Sequence, residues 1–274
     1  MRINTAWIFD VDGVITNPQE KRITESEILD EIIKRLENGE PVALNTGRSL
    51  VFIAERVITP LMKKLEDKKL LFNLFASGEK GGTWITFDEN GQMKHHKDES
   101  ISIAKSLQDK VRDIINSEFS ESMFFDETKE TMISTEMKDG YPVEEYTKQQ
   151  KGLNKKLQEL VNQEGLAEKL KVDPTTIATD IENKRVGKGF AVKRVIEWLS
   201  SRGIKPQRYI AFGDSFASDI PMAEEIHSQG LPVEFVFVGK DNIHTSDLPF
   251  PVKRPLASFE KGTLEFLKGS AFRS

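Results

Sequence analysis

Four short segments carry side chains able to do chemistry together. Asp10-Val11-Asp12-Gly13 sets two carboxylates two residues apart, and Thr46-Gly47-Arg48 offers a hydroxyl beside an amide that no Cβ shields. Gly187-Lys188-Gly189 supplies a cation, and Gly213-Asp214-Ser215, running on to Asp219, supplies further acids. This set suits phosphoryl transfer, which depends mainly on positioning and charge stabilisation. A carboxylate such as Asp10 can attack phosphorus and form an acyl phosphate. Asp12 is close enough to protonate a leaving group and then to activate water. The Thr46 hydroxyl, the Gly47 amide and Lys188, at a helix start that already favours anions, would hold phosphoryl oxygens. Converging acids are costly without a cation, and Mg²⁺ is the hard, oxygen-seeking companion of phosphate. Singly, each segment reads as ordinary structure: a turn, a strand-to-helix loop, a solvated loop and a helix cap. Their order, each at the end of its element, carries the functional reading.

The elements that must position them alternate. Ala6-Trp7-Ile8-Phe9 is an apolar run read as a buried strand that stops at Asp10. A helix follows from Thr24, with Thr24 and Glu27 at capping-box spacing, an apolar face through Ile28, Leu29, Ile32, Ile33 and Leu36, and Gly39 as its stop. Pro41 to Leu44 is a second strand, ending at Thr46. A helix over Leu50 to Ile58 is expected to break and restart at Thr59-Pro60. Leu70 to Ala76 reads as a third strand, and the alternation indicates a parallel α/β sheet. It resumes with a helix from Lys188, a strand over Tyr209 to Phe212 ending in Gly213-Asp214-Ser215, a strand over Val233 to Val238 and a helix over Ser258 to Leu267. In an open parallel sheet the carboxyl ends of the strands share the edge where ligands bind, which would gather Asp10, Asp12, Thr46 and Asp214.

Between these stretches the pattern changes. Thr83 to Phe87 and Gln92 to His96 flank Asp88-Glu89-Asn90-Gly91, a hairpin signal. Ile101 to Phe119 and Glu144 to Gln163 have helical periodicity, Met123 to Phe125 and Glu130 to Glu136 read as a second hairpin, and further strands are expected near 170–172 and 176–181. The reading is a discontinuous core, 1–81 with 185–274, and an inserted α+β module over 82–184. Glu79, Lys80 and Trp84 fall at the hinge between them.

Composition narrows the function. The 274 residues are 38% hydrophobic and 30% charged, with 39 basic against 44 acidic residues and a net charge of −5. That balance disfavours a nucleic-acid binder. The absence of cysteine excludes disulfides, thiolate zinc sites and thiol nucleophiles. The tandem His95-His96 would point to opposite faces of a strand, which argues against a histidine metal site. No apolar run reaches a membrane span, and Met1 to Thr5 lacks the start of a signal peptide. A cytoplasmic protein acting on a small molecule, without membrane or nucleic acid, is expected. Nothing in the sequence speaks to oligomeric state.

On Asp10-Val11-Asp12-Gly13-Val14, Thr46-Gly47-Arg48, Lys188 and Gly213-Asp214-Ser215 through Asp219, the chain resembles the haloacid dehalogenase-like hydrolase superfamily. The inserted module resembles the C2-type cap of its Cof-like and sugar-phosphate phosphatase branches. The resemblance implies a Rossmann-like core with an inserted α+β cap, and a Mg²⁺-dependent phosphatase of a small phosphorylated metabolite such as a sugar phosphate. By that analogy Asp10 becomes aspartyl phosphate and Asp12 is the general acid and base. Mg²⁺ rests on the Asp10 carboxylate, the Asp12 backbone carbonyl and Asp214; Thr46, Gly47 and Lys188 bind the phosphoryl group. Asp219 would orient Lys188 or a metal-bound water, with Arg48 bracing the loop or reaching substrate and Ser215 in support. Two departures stand out. Asp214 and Asp219 are five residues apart where many members have four, and Gly13-Val14-Ile15 replaces the commoner Gly-Thr-Leu. A phosphosugar mutase using the same aspartate, or a non-catalytic phosphometabolite-binding regulator, would share these residues.

Overall fold

Unbroken apolar runs form strands buried on both faces, and here they supply one large sheet. The computed structural model describes residues 3–242 and 244–269. In chain order the strands are β1 (Thr5–Phe9), β2 (Val42–Asn45), β3 (Leu74–Gly78), β4 (Thr83–Phe87), β5 (Met93–Lys97), β6 (Met123–Phe125), β7 (Ile133–Met137), β8 (Leu170–Pro174), β9 (Ala178–Asn183), β10 (Arg208–Gly213), β11 (Val233–Phe237) and β12 (Val252–Lys253). The helices are α1 (Glu27–Glu37), α2 (Leu50–Ile53), α3 (Thr59–Lys64), α4 (Lys105–Ile114), α5 (Val143–Gln163), α6 (Lys188–Ser201), α7 (Phe216–Ser228) and α8 (Phe259–Leu267).

The large sheet has the order β12-β11-β10-β1-β2-β3-β4-β5. From β12 to β3 every pairing is parallel, and β4 runs antiparallel to β3. Side chains alternate across it. Trp7, Phe9, Val42, Leu44, Ile210 and Phe212 pack on one face with α1, α2, α3 and α8. Ala6, Ile8, Ala43, Tyr209, Ala211 and Phe235 pack on the other with α6 and α7. The strand order reverses between β1 and β10, and a crevice at such a switch point is where this architecture takes its ligands.

By contacts the chain forms two units, residues 1–96 with 187–274, and residues 97–186. The second holds an antiparallel sheet of order β6-β7-β9-β8. Its core joins Leu107 and Val111 of α4, Tyr146, Leu153 and Leu157 of α5, and Ile133 and Ile181 of the sheet. Mixed α/β architecture with an inserted α+β module is therefore present. Among the described residues no helix is long and apolar enough to cross a membrane.

The structure corrects several boundaries. The hairpin assigned to the insertion from residue 82 belongs to the large sheet: Ala76, Ser77 and Gly78 pair with Ile85, Trp84 and Thr83, and Ile85 and Phe87 join the core. The expected hinge at Glu79 and Lys80 is thus the turn from β3 into β4, and Trp84 is part of β4 itself. The return is placed at 187 instead of 185. The third strand begins only at Leu74, because Lys68–Asn73 forms a 3₁₀ turn capped by Asp67. Thr24 does not cap α1; its hydroxyl donates to Glu260, and the helix starts at Glu27. No break occurs at Pro60. It sits in the first turn of α3 behind a π-helical turn over Ala54–Ile58, and such a widened turn accommodates the missing N–H. His95 is exposed whereas His96 stacks on Trp84 at 5.2 Å, so the pair does point apart.

If β4 is an integral strand of the large sheet, Ile85→Ala opens a cavity in its core. It should lower unfolding stability by about 2–4 kcal/mol, read from the denaturant midpoint at unchanged slope. A loss below about 1 kcal/mol would place the hairpin outside the core.

Candidate active site

β1 and β10 end side by side. Phe9 pairs with Phe212, and the Asp10 N–H donates to the Phe212 carbonyl at 3.0 Å. Asp10 and Asp214 therefore leave adjacent strands at the same edge. Beyond Asp10 the chain closes a tight loop: the amides of Ile15 and Thr16 both donate to the Val11 carbonyl at 2.9 Å. Val14 and Ile15 are fully buried, so the slot that departs from the family pattern is an apolar anchor. Gly13 has φ +76°, and a Cβ there would lie 2.1 Å from Asp214 Oδ2. Only glycine lets the Asp214 carboxylate lie against this loop.

Lys188 opens α6 and reaches between two carboxylates. Its Nζ is 2.8 Å from Asp10 Oδ1 and bonds Asp219 Oδ1 as well. The Asn45 side chain fixes the start of that helix, donating to the Lys188 carbonyl at 2.9 Å. Gly189 allows α6 to approach α7, since a Cβ would meet the Pro221 carbonyl at 2.9 Å. Asp219 lies in the first turn of α7 and folds back on its own helix start. Its Oδ2 accepts from the amides of Asp214 and Ser215, both at 2.9 Å, and its Oδ1 accepts from Ser218 at 3.0 Å. The five-residue spacing is accommodated by this back-folding. Ser215 enters through its backbone, its side chain making no capping bond.

Thr46 follows β2. Its amide donates to Ser77 at 3.0 Å, its carbonyl accepts from Lys80 at 3.0 Å, and its hydroxyl oxygen accepts from the Arg48 amide at 3.1 Å. The hydroxyl hydrogen is left to point elsewhere. The Lys80 side chain runs beside Gly47, 3.5 Å from where a Cβ would stand. Arg48 Nε lies 3.0 Å from Asp12 Oδ2 and so ties the β2 loop to the β1 loop.

Asp10, Lys188, Asp214 and Asp219 thus come together beyond the ends of β1 and β10, while Arg48 links Thr46 to Asp12. Asp10, Asp214 and Asp219 each offer an oxygen, all within 4.8 Å of one another, as a metal-sized group. The Asp12 carboxylate is outside that group, held by Arg48. Sequence reading passed over Asn45 and set Glu79 and Lys80 at a hinge without a defined role. Both members of that pair have positive φ, 50° and 54°, Glu79 is buried, and their amides bond the carbonyls of Arg48 and Thr46. Non-glycine residues held in that region are a signature of functional loops. The flanking glycines hid the signal.

The electrostatics favour a cation. Burial, with Asp219 and Asp214 nearby, holds the Asp10 carboxyl well above the ordinary aspartate range despite Lys188. Burial and the neighbouring Asp219 push Asp214 up to about 6. Burial alone would lower the Lys188 ammonium, but Asp10 and Asp219 outweigh it and the net shift is upward. Three carboxylates against one ammonium leave a deficit that a divalent ion would cancel, and the all-oxygen donor set fits Mg²⁺.

A raised Asp214 value has a definite sign in stability. Without metal, the folded chain keeps a proton there that the unfolded chain has already released, so stability falls as pH rises from about 4 to about 6. At pH 7, metal-free Asp214→Asn should be more stable than wild type by roughly 1–3 kcal/mol. Mg²⁺ should raise the Tm of wild type but not of this variant. An unchanged Mg²⁺ response in the variant would remove Asp214 from the site.

The model of the haloacid dehalogenase-like hydrolases matches residues 7–228. Among solved structures, the C-terminal domain of C. albicans trehalose-6-phosphate phosphatase is similar at 17% identity and TM-score 0.65, over 98% of this chain and 93% of that one. Thermoplasma acidophilum 0175 is similar at 18% identity and TM-score 0.60, over 98% of both chains. The sucrose-phosphatase of Synechocystis sp. PCC6803 is similar at 18% identity and TM-score 0.54, over 100% of both chains. At these identities the likeness is one of fold. Comparison with curated proteins gives no match. The family match spans most of the chain, including the strands and loops that bring the acids together: this protein belongs to the haloacid dehalogenase-like hydrolases.

Proposed function

We propose that this hydrolase is a Mg²⁺-dependent phosphatase of a small phosphorylated metabolite, a sugar phosphate, working through an aspartyl phosphate on Asp10. The observation that carries the reading is the meeting of Asp10 and Asp214 at the switch point with Lys188 on the Asp10 oxygen. A trehalose-6-phosphate phosphatase and a sucrose-phosphatase among the similar folds support the sugar phosphate as substrate class. Residues 97–186 are the counterpart of the family's inserted cap.

In the first half-reaction an Asp10 carboxylate oxygen bonds to phosphorus as the ester P–O bond breaks. Asp12 gives its proton to the departing oxygen. In the second, water attacks the same phosphorus, Asp12 takes its proton, and the bond to Asp10 breaks to release phosphate. Thr46 and Gly47 hold the phosphoryl oxygens, and Lys188 holds both the nucleophile and the group transferred to it. Asp10, Asp214 and the Asp12 backbone carbonyl would hold Mg²⁺, which would supply the charge neutralisation an anionic carboxylate needs to approach an anionic ester. Asp219 positions Lys188 and the Asp214 amide.

A panel of phosphorylated metabolites assayed with Mg²⁺ tests this. Hydrolysis should be strongest on sugar phosphates, should vanish on chelation, and should drop at least about 1,000-fold in Asp10→Asn. Full Mg²⁺-dependent turnover by that variant would overturn the reading.

A further inference from the structure

The β4–β5 hairpin and the end of α6 enclose a cavity of about 450 Å³, a size usual for small-molecule sites. It lies away from the clustered carboxylates. Thr83 pairs with Gly78 at the carboxyl end of β3, so the loop after Phe87 stands at the opposite end of the strands. Arg202, on the cavity wall, caps the carboxyl end of α6, whose 14 residues start at Lys188. At ~1.5 Å per residue, that places it roughly 20 Å along the helix from the catalytic lysine.

Arg202 is half-buried and incompletely satisfied. Its Nη1 donates to the Phe72 carbonyl at 2.6 Å and its Nη2 to Asn73 Oδ1 at 3.5 Å. Each Nη carries a second hydrogen that these contacts do not use. Nε is enclosed and, among the described residues, has no partner. Burial lowers the Arg202 pKa, and among the described residues no acid offsets the shift. A guanidinium held this way without a counterion is costly. It lies 3.5 Å from the centre of the Phe72 ring and 4.9 Å from that of Trp198, and both rings line the cavity. The wall also carries Asp88, Glu89 and Lys94. Asp88 is engaged: its Oδ1 accepts from the amides of Asn90 at 2.9 Å and Gln92 at 3.0 Å, and its Oδ2 faces Lys94 at 4.0 Å. Glu89 is exposed. Two acids on the wall disfavour a dianion such as a phosphate ester, whereas a single carboxylate matches the planar fork of one arginine.

We propose that this cavity is a second ligand site, separate from the catalytic edge, for a small monocarboxylate with an apolar body. The carboxylate accepts the spare Nη hydrogens of Arg202, and the apolar body lies against Phe72 and Trp198.

Calorimetric titration of the whole chain with 3-phenylpropanoate tests this. The probe should bind once per chain, and 3-phenylpropanamide, the same body without the charge, should bind at least about 10-fold more weakly. Excess inorganic phosphate, a ligand for the catalytic edge, should not displace it. Arg202→Gln should weaken binding at least about 10-fold while keeping a cooperative thermal transition. Should that variant fail to fold, Glu89→Lys decides, because Glu89 is exposed and its exchange leaves the core untouched. A cation in place of an acid at the rim should tighten binding about 3-fold, and less in high salt. No saturable binding, equal affinity for the acid and the amide, or displacement by phosphate overturns the proposal. So does unchanged affinity in folded Arg202→Gln or in Glu89→Lys.

Discussion

The arrangement depends on one electrostatic constraint: carboxylates buried at the edge of a sheet with a single ammonium to balance them. Asp10, Asp214 and Asp219 bring oxygens within 4.8 Å of one another, and among the described residues Lys188 is the cation that reaches into the group. Two like charges at that distance repel by on the order of 3 kcal/mol even at an effective dielectric of roughly 20. Removing each from water costs several kcal/mol more. One lysine cannot offset this. The excess negative charge would suit the site to a cation, and burial together with it raises the Asp10 and Asp214 carboxyls above the ordinary aspartate range.

Such a cluster survives folding because its supports lie in the backbone rather than in flexible side chains. Phe9 and Phe212 stack with ring centres 4.6 Å apart beneath the two strand ends. Asp219 is satisfied by two amides at the start of α7 and by Lys188. Gly13 and Gly213 exist where a Cβ would collide with Asp214 and Asp219. Glu79 and Lys80 accept a left-handed backbone to bond the carbonyls of the Thr46 loop. Local strain and lost packing atoms are thus spent on holding side chains that water would otherwise scatter, the usual pattern at a preorganised site.

Much of this was legible in the amino-acid sequence because its determinants are local. Ala6-Trp7-Ile8-Phe9 reads as a buried strand, and the acid that follows then emerges at its end. Asp10, Asp12, Thr46 and Asp214 were found by that logic and Lys188 from its helix start, and Asp10, Lys188 and Asp214 come together. What was misread depends on partners far along the chain. Thr24 has a capping-box spacing, yet Glu260, 236 residues on, takes its hydroxyl. The β4–β5 hairpin carries the same signal whether it adds to the large sheet or starts a new module. Only the pairing of Ser77 with Trp84 decides. Glu79 and Lys80 looked like a hinge because composition does not reveal that the segment turns one strand back on its neighbour. Asn45 gave no signal at all, since its role is a bond to the carbonyl of residue 188.

The central claim, that these carboxylates converge to make Asp10 a nucleophile toward phosphorus, is tested most directly by trapping. Enzyme quenched in acid during turnover of a phosphate ester with Mg²⁺, then digested and analysed by mass spectrometry, should show one added phosphoryl group on the peptide carrying Asp10. The adduct should be absent without the metal. A phosphoryl group on any other residue, or product formed while the Asp10 peptide stays unmodified at every quench time, would contradict the account.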